Sequence, residues 1–302
     1  MTTKTIRLKG GDDFFCGNAG DDVIYGMGGS DRIHGGAGDD RLFSNDENSF
    51  TQWLDGTLTD RESWIDGGAG NDEIESDALH RSTAYGGSGD DSIVSRSHHD
   101  AFAWGGAGSD IIGVTGGDGV AKAYGDDGND NVTVWAPQGR AEGYGGNGDD
   151  TLSVDRSLSG LLSGGAGNDL LVVSDATATQ VTELDGGTGR DLLQGNTGTI
   201  ERFVFRAEDT GIGKNADQIL FFGEEDTIDL SRIDANGAAP GDAGFRFVGR
   251  DENPATGEVG WHRSTIGREA VIVVTFDDGS GNHEIVLRFA EDTKPAASDF
   301  LL

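Results

Sequence analysis

Gly164-Gly165-Ala166-Gly167-Asn168-Asp169-Leu170-Leu171-Val172 has the form G-G-x-G-x-D-x-U-x, where U is a large apolar residue. Its glycines allow a tight turn through positive φ and bring carbonyl oxygens toward one point. The sixth-position aspartate adds a hard anionic oxygen, the ligand type Ca²⁺ prefers. The x-U-x triplet is a minimal strand, with U facing inward and its neighbours outward.

The stretch repeats in two periods. Nine-residue units follow one another from a degenerate Leu8–Cys16 through Gly17–Tyr25, Gly26–His34 and Gly35–Phe43, with aspartates Asp13, Asp22, Asp31 and Asp40. After a break, motifs start at Gly67, Gly86, Gly105, Gly125, Gly145, Gly164 and Gly186, spaced 19, 19, 20, 20, 19 and 22 residues apart. Their sixth positions are Asp72, Asp91, Asp110, Asp130, Asp150, Asp169 and Asp191, and their eighth are Ile74, Ile93, Ile112, Val132, Leu152, Leu171 and Leu193. None of these seven copies lacks its aspartate or its aliphatic residue.

The nonapeptide resembles the calcium-binding repeat of RTX, or hemolysin-type, proteins. Two such units, or one unit of 19–20 residues, make one coil of a parallel β-roll. The expected fold is therefore all-β: a right-handed parallel β-solenoid with calcium-bound turns, followed by a β-rich C-terminal domain. Nonapeptides two apart share an edge, which pairs Asp13 with Asp31 and Asp22 with Asp40. From Gly67 onward only one edge carries the motif. The other is built from ordinary turns such as Thr115–Gly119 and Ala136–Gly139. Besides the eleven aspartates, the expected ligands are the first-position glycines Gly17, Gly35, Gly67, Gly86, Gly105, Gly125, Gly145, Gly164 and Gly186.

Composition agrees. The 302 residues include 52 glycines without a G-X-Y period, and the formal charge is −32. That charge argues against nucleic acid or an anionic membrane as partner. About nine Ca²⁺ would offset somewhat over half of it. Cys16 is alone, so no disulfide framework is available. No apolar run is long enough to span a membrane, and Met1–Arg7 shows no hydrophobic region of a cleavable signal peptide.

Residues 44–66, with Trp53 and Trp64, lengthen one coil; they read as a flap over exposed apolar edge or as a protruding binding loop, the flap being preferred. The residue before each motif is often aromatic: Tyr85, Trp104, Tyr124 and Tyr144, with Tyr25 and Phe43 in the same place earlier. These are expected to face outward and stack on one side, as a stiffening ladder or as a surface for sugars or a partner. Ala84, Ala103, Ala123 and Gly143 should face inward. His98-His99-Asp100, in a non-motif turn, reads as an exposed loop rather than a transition-metal site.

From about Thr199 the repeats stop. Phe203–Phe205, Gln218–Phe222, Phe245–Val248, Ala270–Phe276 and His283–Phe289 read as strands. Phe203-Val204-Phe205, Ala216-Asp217-Gln218-Ile219, Gly223–Asp234 and Gly244–Gly249 fall in the order of the C-terminal domain of serralysin-type proteins, which this region resembles. Asp299-Phe300-Leu301-Leu302 is similar to that family's closing acidic residue plus three apolar ones. The resemblance implies an uncleaved signal read by a bacterial type I secretion machinery. The family's late calcium-binding hairpin corresponds here to Asp277–Glu284, which is short and lacks an EF-hand pattern, so the sequence does not decide whether a site exists there. The protease is absent: the nearest approach to H-E-x-x-H is His283-Glu284-Ile285-Val286-Leu287. The period is also similar to that of a bacterial ice-binding adhesin, but among third positions Ala69, Ser88, Ala107, Asp127, Asn147, Ala166 and Thr188 only the last suits ice recognition.

The segments are thus 1–43 (start of the roll), 44–66 (insertion), 67–199 (solenoid) and 200–302 (secretion domain). The leading functional reading is a secreted, non-enzymatic calcium-binding protein that folds on extracellular Ca²⁺ and meets a cell-surface glycan or matrix protein. The competing readings are an extracellular enzyme or toxin using the insertion or the aromatic face, and a carrier module for a separate partner.

Overall fold

A computed structural model describes residues 4–46, 58, 60–174, 180–235, 243–251, 253–266, 269–288 and 294–302. It divides into two compact units, 1–160 and 161–302. The regular elements among the described residues are almost entirely strands. Their only helical pieces are the three-residue 3₁₀ turns Gly213–Asn215 and Ala297–Asp299, and no helix is long and apolar enough to cross a membrane.

In the first unit successive strands alternate between two parallel sheets. The motif-following sheet runs through Lys4–Arg7, Asp22–Tyr25, Arg41–Phe43, Glu73–Ala78, Ser92–Ser97, Ile111–Thr115, Asn131–Trp135 and Thr151–Asp155. The motif-leading sheet runs through Phe14–Cys16, Arg32–Ala37, Glu62–Ala69, Arg81–Ser88, Asp100–Ala107, Val120–Asp127 and Arg140–Asn147. This is a parallel β-solenoid. The motif-leading strands run into the first glycines of the motif, as Glu62–Ala69 does through Gly67 and Gly68, while motif-following ones stop at ordinary turns, as Asn131–Trp135 does at Ala136–Gly139.

The core is two facing columns. Ile24, Leu42, Ile74, Ile93, Ile112, Val132 and Leu152, all 1% exposed or less, line one sheet. Ile33, Ile65, Ala84, Ala103 and Ala123, all 0% exposed, line the other. Small residues opposite large ones let the two sheets approach closely. Each large aliphatic side chain so buried contributes about 1.5–3 kcal/mol. Serines enter the interior at Ser76, Ser82 and Ser95, all 0% exposed. Ser82 Oγ lies 2.6 Å from Ser95 Oγ and donates to Ser76 O at 2.7 Å, which offsets the cost of burying them.

The second unit begins in the same way. Leu170–Val173, Leu192–Gln194 and Asp217–Leu220 are parallel, as are Thr182–Thr188, Glu201–Val204 and Thr227–Asp229. The coil pattern then gives way to longer strands. Asn282–Arg288 pairs parallel with Asp217–Leu220, and Glu269–Asp277 runs antiparallel between it and Glu258–Ile266. Arg246–Arg250 lies beyond, parallel to Glu258–Ile266. The strand Glu258–Ile266 is missed by sequence reasoning, because its apolar alternation is confined to Val259 and Trp261 before the polar run His262-Arg263-Ser264-Thr265. Phe300–Leu301 adds in parallel to Thr227–Asp229.

Two expectations need correction. Tyr25 and Phe43 do not share a side with Tyr85 and its followers: they stand on the motif-following sheet, whereas Tyr85 stands on the motif-leading one. Nine-residue units alternate sheets, so the residue before a motif alternates too; in 19–20 residue coils it always falls on one sheet. Trp64, read as part of the inserted loop, lies in strand Glu62–Ala69, paired with Arg32–Ala37. Trp53 lies outside the described residues.

Candidate calcium sites

The sixth-position aspartates stand where each turn enters the motif-following sheet, one above another. The backbone N–H of each donates to Oδ1 of the aspartate one coil on. Asp22 bonds Asp40 and Asp40 bonds Asp72 at 2.7 Å; Asp72–Asp91, Asp91–Asp110, Asp110–Asp130 and Asp130–Asp150 follow at 2.8 Å. In the second unit Asp169 N–H bonds Asp191 Oδ1, again at 2.8 Å. On the opposite edge Asp13 N–H bonds Asp31 Oδ1 at 2.9 Å. Apart from the partly exposed Asp13, these aspartates are 3% exposed or less.

Oδ1 is therefore occupied by the main chain, while Oδ2 accepts from the Lys9 N–H in Asp13 and from Asn18 in Asp22. In Asp31, Asp40, Asp72, Asp91, Asp110 and Asp130 the second carboxylate oxygen is buried without a hydrogen-bond partner. A buried anionic oxygen left bare is costly, and proteins resolve it with a proton or a cation. Burial, with neighbouring aspartates adding, pushes Asp31 and Asp91 up to about 7 and Asp72 and Asp110 up to about 6.

The glycines define the space beside that oxygen. A Cβ on Gly35, Gly67, Gly86, Gly105, Gly125 or Gly164 would run into Oδ2 of its own motif and into the first-position carbonyl oxygen of the next, Gly67, Gly86, Gly105, Gly125, Gly145 and Gly186 in turn. Gly17 meets Asp22 Oδ2 and the Gly35 carbonyl, while Gly186 meets Asp191. Gly87 (φ +115°) sits against the Gly68 carbonyl one coil back, a conformation and a distance that only glycine tolerates. In the turns of Gly35, Gly67, Gly86, Gly105 and Gly125 an unpartnered carboxylate oxygen and a main-chain carbonyl of the next coil thus border one cradle. An all-oxygen, partly anionic donor set of this kind fits Ca²⁺.

The column extends past the last recognisable motif. Asp191 N–H donates to Asp217 Oδ1 at 2.8 Å, and Asp217, 1% exposed, is pushed up to about 8 chiefly by burial. Asp217-Gln218-Ile219 keeps the D-x-U signal, but no G-G-x-G precedes it, so pattern matching passes over it. Asp60, 1% exposed, is a second residue missed: its Oδ1 accepts the Gly29 N–H at 2.6 Å on the edge of Asp13 and Asp31.

The aromatic residues form a stack on the motif-leading sheet. Ring centroids lie 5.6 Å apart for Trp64–Tyr85, 4.6 Å for Tyr85–Trp104, 5.4 Å for Trp104–Tyr124 and 4.8 Å for Tyr124–Tyr144. The last three pairs are within 14° of parallel. Lys122 Nζ caps Tyr124 and Tyr144 at 5.1 and 4.8 Å. Because the rings cover one another's faces, only their edges meet solvent, which suits stiffening better than stacking on a sugar.

His99 lies beside His80, with centroids 5.4 Å apart, and its Nδ1 is 2.5 Å from Asp118 Oδ1. Among the described residues no three His, Cys, Asp or Glu side chains gather into a metal cluster. The aspartate row differs in kind, since it sets one carboxylate per coil against main-chain carbonyls.

The terminal residues are folded in. Phe300 is 6% exposed and stacks on Phe247 at 5.2 Å; Asp299 Oδ2 accepts the Ala296 N–H at 2.9 Å; Leu301 is 37% exposed, and Leu302 is half-buried.

Fold and row together define a parallel β-solenoid whose turns carry a stacked carboxylate column. The repeats are RTX calcium-binding nonapeptide repeats: that family's model matches four copies, over residues 9–48, 60–78, 161–174 and 183–199. No curated protein matches the chain.

Proposed function

We propose that this chain is a secreted, non-enzymatic protein that folds when its aspartate row meets extracellular calcium, and that it acts at a cell surface or in a matrix. The observation that carries this is the series of buried Oδ2 atoms from Asp31 to Asp130 without hydrogen-bond partners, each beside a carbonyl of the next coil. Without metal these charges oppose coil stacking. With it, binding energy becomes folding energy. Residues 200–302 serve in this reading as the type I secretion domain, with Asp299-Phe300-Leu301-Leu302 as its terminal signal. The support is the order of motifs there.

The work of the molecule is then adhesion or display through its surface, with a glycan or matrix protein as partner. The stacked rings of Tyr85, Trp104, Tyr124 and Tyr144 hold that surface rigid. Far-UV circular dichroism during a calcium titration, with magnesium as control and sedimentation alongside, tests the reading. A cooperative, calcium-specific transition to a β-rich state supports it. A chain already fully folded without metal would make the row a reversible sensor and not a folding switch.

A further inference from the structure

On the edge opposite the row, the second unit holds a pair of carboxyl groups that no G-G-x-G-x-D motif accounts for. Glu201 opens strand Glu201–Val204 and is 0% exposed; Asp226, just before strand Thr227–Asp229, is 2% exposed. Glu201 N–H donates to Asp226 Oδ1 at 2.8 Å. This is the relationship that links one row aspartate to the next, with glutamate replacing the first.

The second oxygen repeats the parallel. Glu201 Oε2 is buried with no hydrogen-bond partner, as Oδ2 is along the row. Its other oxygen, Oε1, accepts the Thr199 hydroxyl, and Asp226 Oδ2 accepts the Gly223 N–H at 2.7 Å. Thr182, the register partner of Glu201 on the adjoining strand, is 0% exposed, and its Oγ1 also lacks a partner. Opposite them Gly195 leaves room: a Cβ there would come within 3.1 Å of Glu201 Oε2. Neither carboxyl group has a basic partner among the described residues. Two neighbouring buried carboxylates cannot both stay ionised without a positive charge between them or a shared proton.

We propose that Glu201, Asp226 and Thr182 hold one further calcium ion, on the edge opposite the main row. Glu201 Oε2 and the Thr182 hydroxyl are its unsatisfied donors, and Asp226 supplies the second negative charge. The all-oxygen set suits a hard cation and offers nothing to a thiophilic one. The longer arm of glutamate stands in for the glycine turn missing here, carrying the anionic oxygen to the side of Gly195. The proposal rests on the reading of the row as calcium sites.

The test is the number of calcium ions bound by the full chain, measured by equilibrium dialysis and elemental analysis for the native protein, Glu201→Gln and Thr182→Val. Glu201→Gln keeps shape and hydrogen bonding but removes the charge. It is expected to bind one ion fewer, with the row still filled. Thr182→Val is expected to keep the ion but raise its dissociation constant about tenfold, the worth of one lost oxygen contact. A Glu201→Gln protein with the native count and affinities overturns the proposal and identifies the pair as sharing a proton. Should Glu201→Gln fail to fold, unchanged affinity for every ion in Thr182→Val overturns it equally. A native chain that binds no calcium at all is a different result, since it removes the row together with this site.

Discussion

The backbone N–H of Asp91 donates to Asp110 Oδ1 at 2.8 Å, while Asp110 Oδ2 faces the carbonyl of Gly125 one coil further on. The Asp110 N–H in turn donates to Asp130 Oδ1 at 2.8 Å, so a single residue ties its own coil to both neighbours. Charge-assisted bonds of this type are each worth about 1.5–3 kcal/mol.

Position along the row should therefore matter. Asp110→Ala or Asp130→Ala removes a group shared by two coil interfaces. Asp13 borders one, and its Oδ2 is already taken by the Lys9 N–H at 3.1 Å. The mid-row variants should move the calcium midpoint of folding several-fold further than Asp13→Ala, read by far-UV circular dichroism. Equal shifts at all three positions would sink the shared-carboxylate geometry.

Acidity should replace calcium in part. Burial pushes Asp31 and Asp91 up to about 7 and Asp72 and Asp110 up to about 6 in the folded state, against about 3.9 unfolded. Groups that hold protons more tightly when folded leave stability intact below the unfolded pKa and erode it as pH rises through the folded one. Metal-free protein should thus be more stable at about pH 5 than at about pH 8. Calcium affinity should run the other way, falling as protons occupy the same oxygens. Urea unfolding of metal-depleted protein across that range checks the first statement, and calorimetric calcium titration the second.

Gly86→Ala isolates the steric role of the first glycine. The added methyl meets Asp91 Oδ2 and the Gly105 carbonyl, the two atoms that would hold the ion. The substitution should lower the bound calcium by one ion and destabilise the calcium-loaded fold by about 1–3 kcal/mol through overpacking. Native ion content in the variant would place the metal elsewhere.

The aromatic stack should be mechanical. Trp104 touches both Tyr85 and Tyr124, and aromatic pairs are worth about 0.5–1.5 kcal/mol each beyond buried area. Trp104→Ala should lower the thermal midpoint in saturating calcium and flatten the near-UV dichroism without changing the ion count. Unaltered stability together with a lost glycan or matrix interaction would make the face a binding site instead.

The row was readable from the sequence because every part of it needs a particular residue. Only glycine passes so close to the neighbouring coil, only a short acid reaches the gap, and only an aliphatic residue fills the column behind. Asp217 and Glu201 escape such reading because no glycine turn marks them. What places them is a strand register set by Asp191 and Thr182 on adjoining coils, which is tertiary information. Trp64 reads as part of an insertion because the sequence does not mark where the chain rejoins the sheet. The sidedness of Tyr25 and Phe43 is hidden for a related reason: position within a motif fixes in or out, but the length of the unit decides which sheet.

Phe300–Leu301 pairs with Thr227–Asp229, more than seventy residues earlier in the chain. Synthesis supplies a solenoid coil by coil, and each coil of the first unit can settle on the one made just before it. The second unit's smaller sheet has no such liberty, since its outermost described strand comes more than seventy residues after the strand it pairs with. That unit cannot be finished on the ribosome until residues 300 and 301 have been added. This order of manufacture is itself a delay, acting before any metal is met.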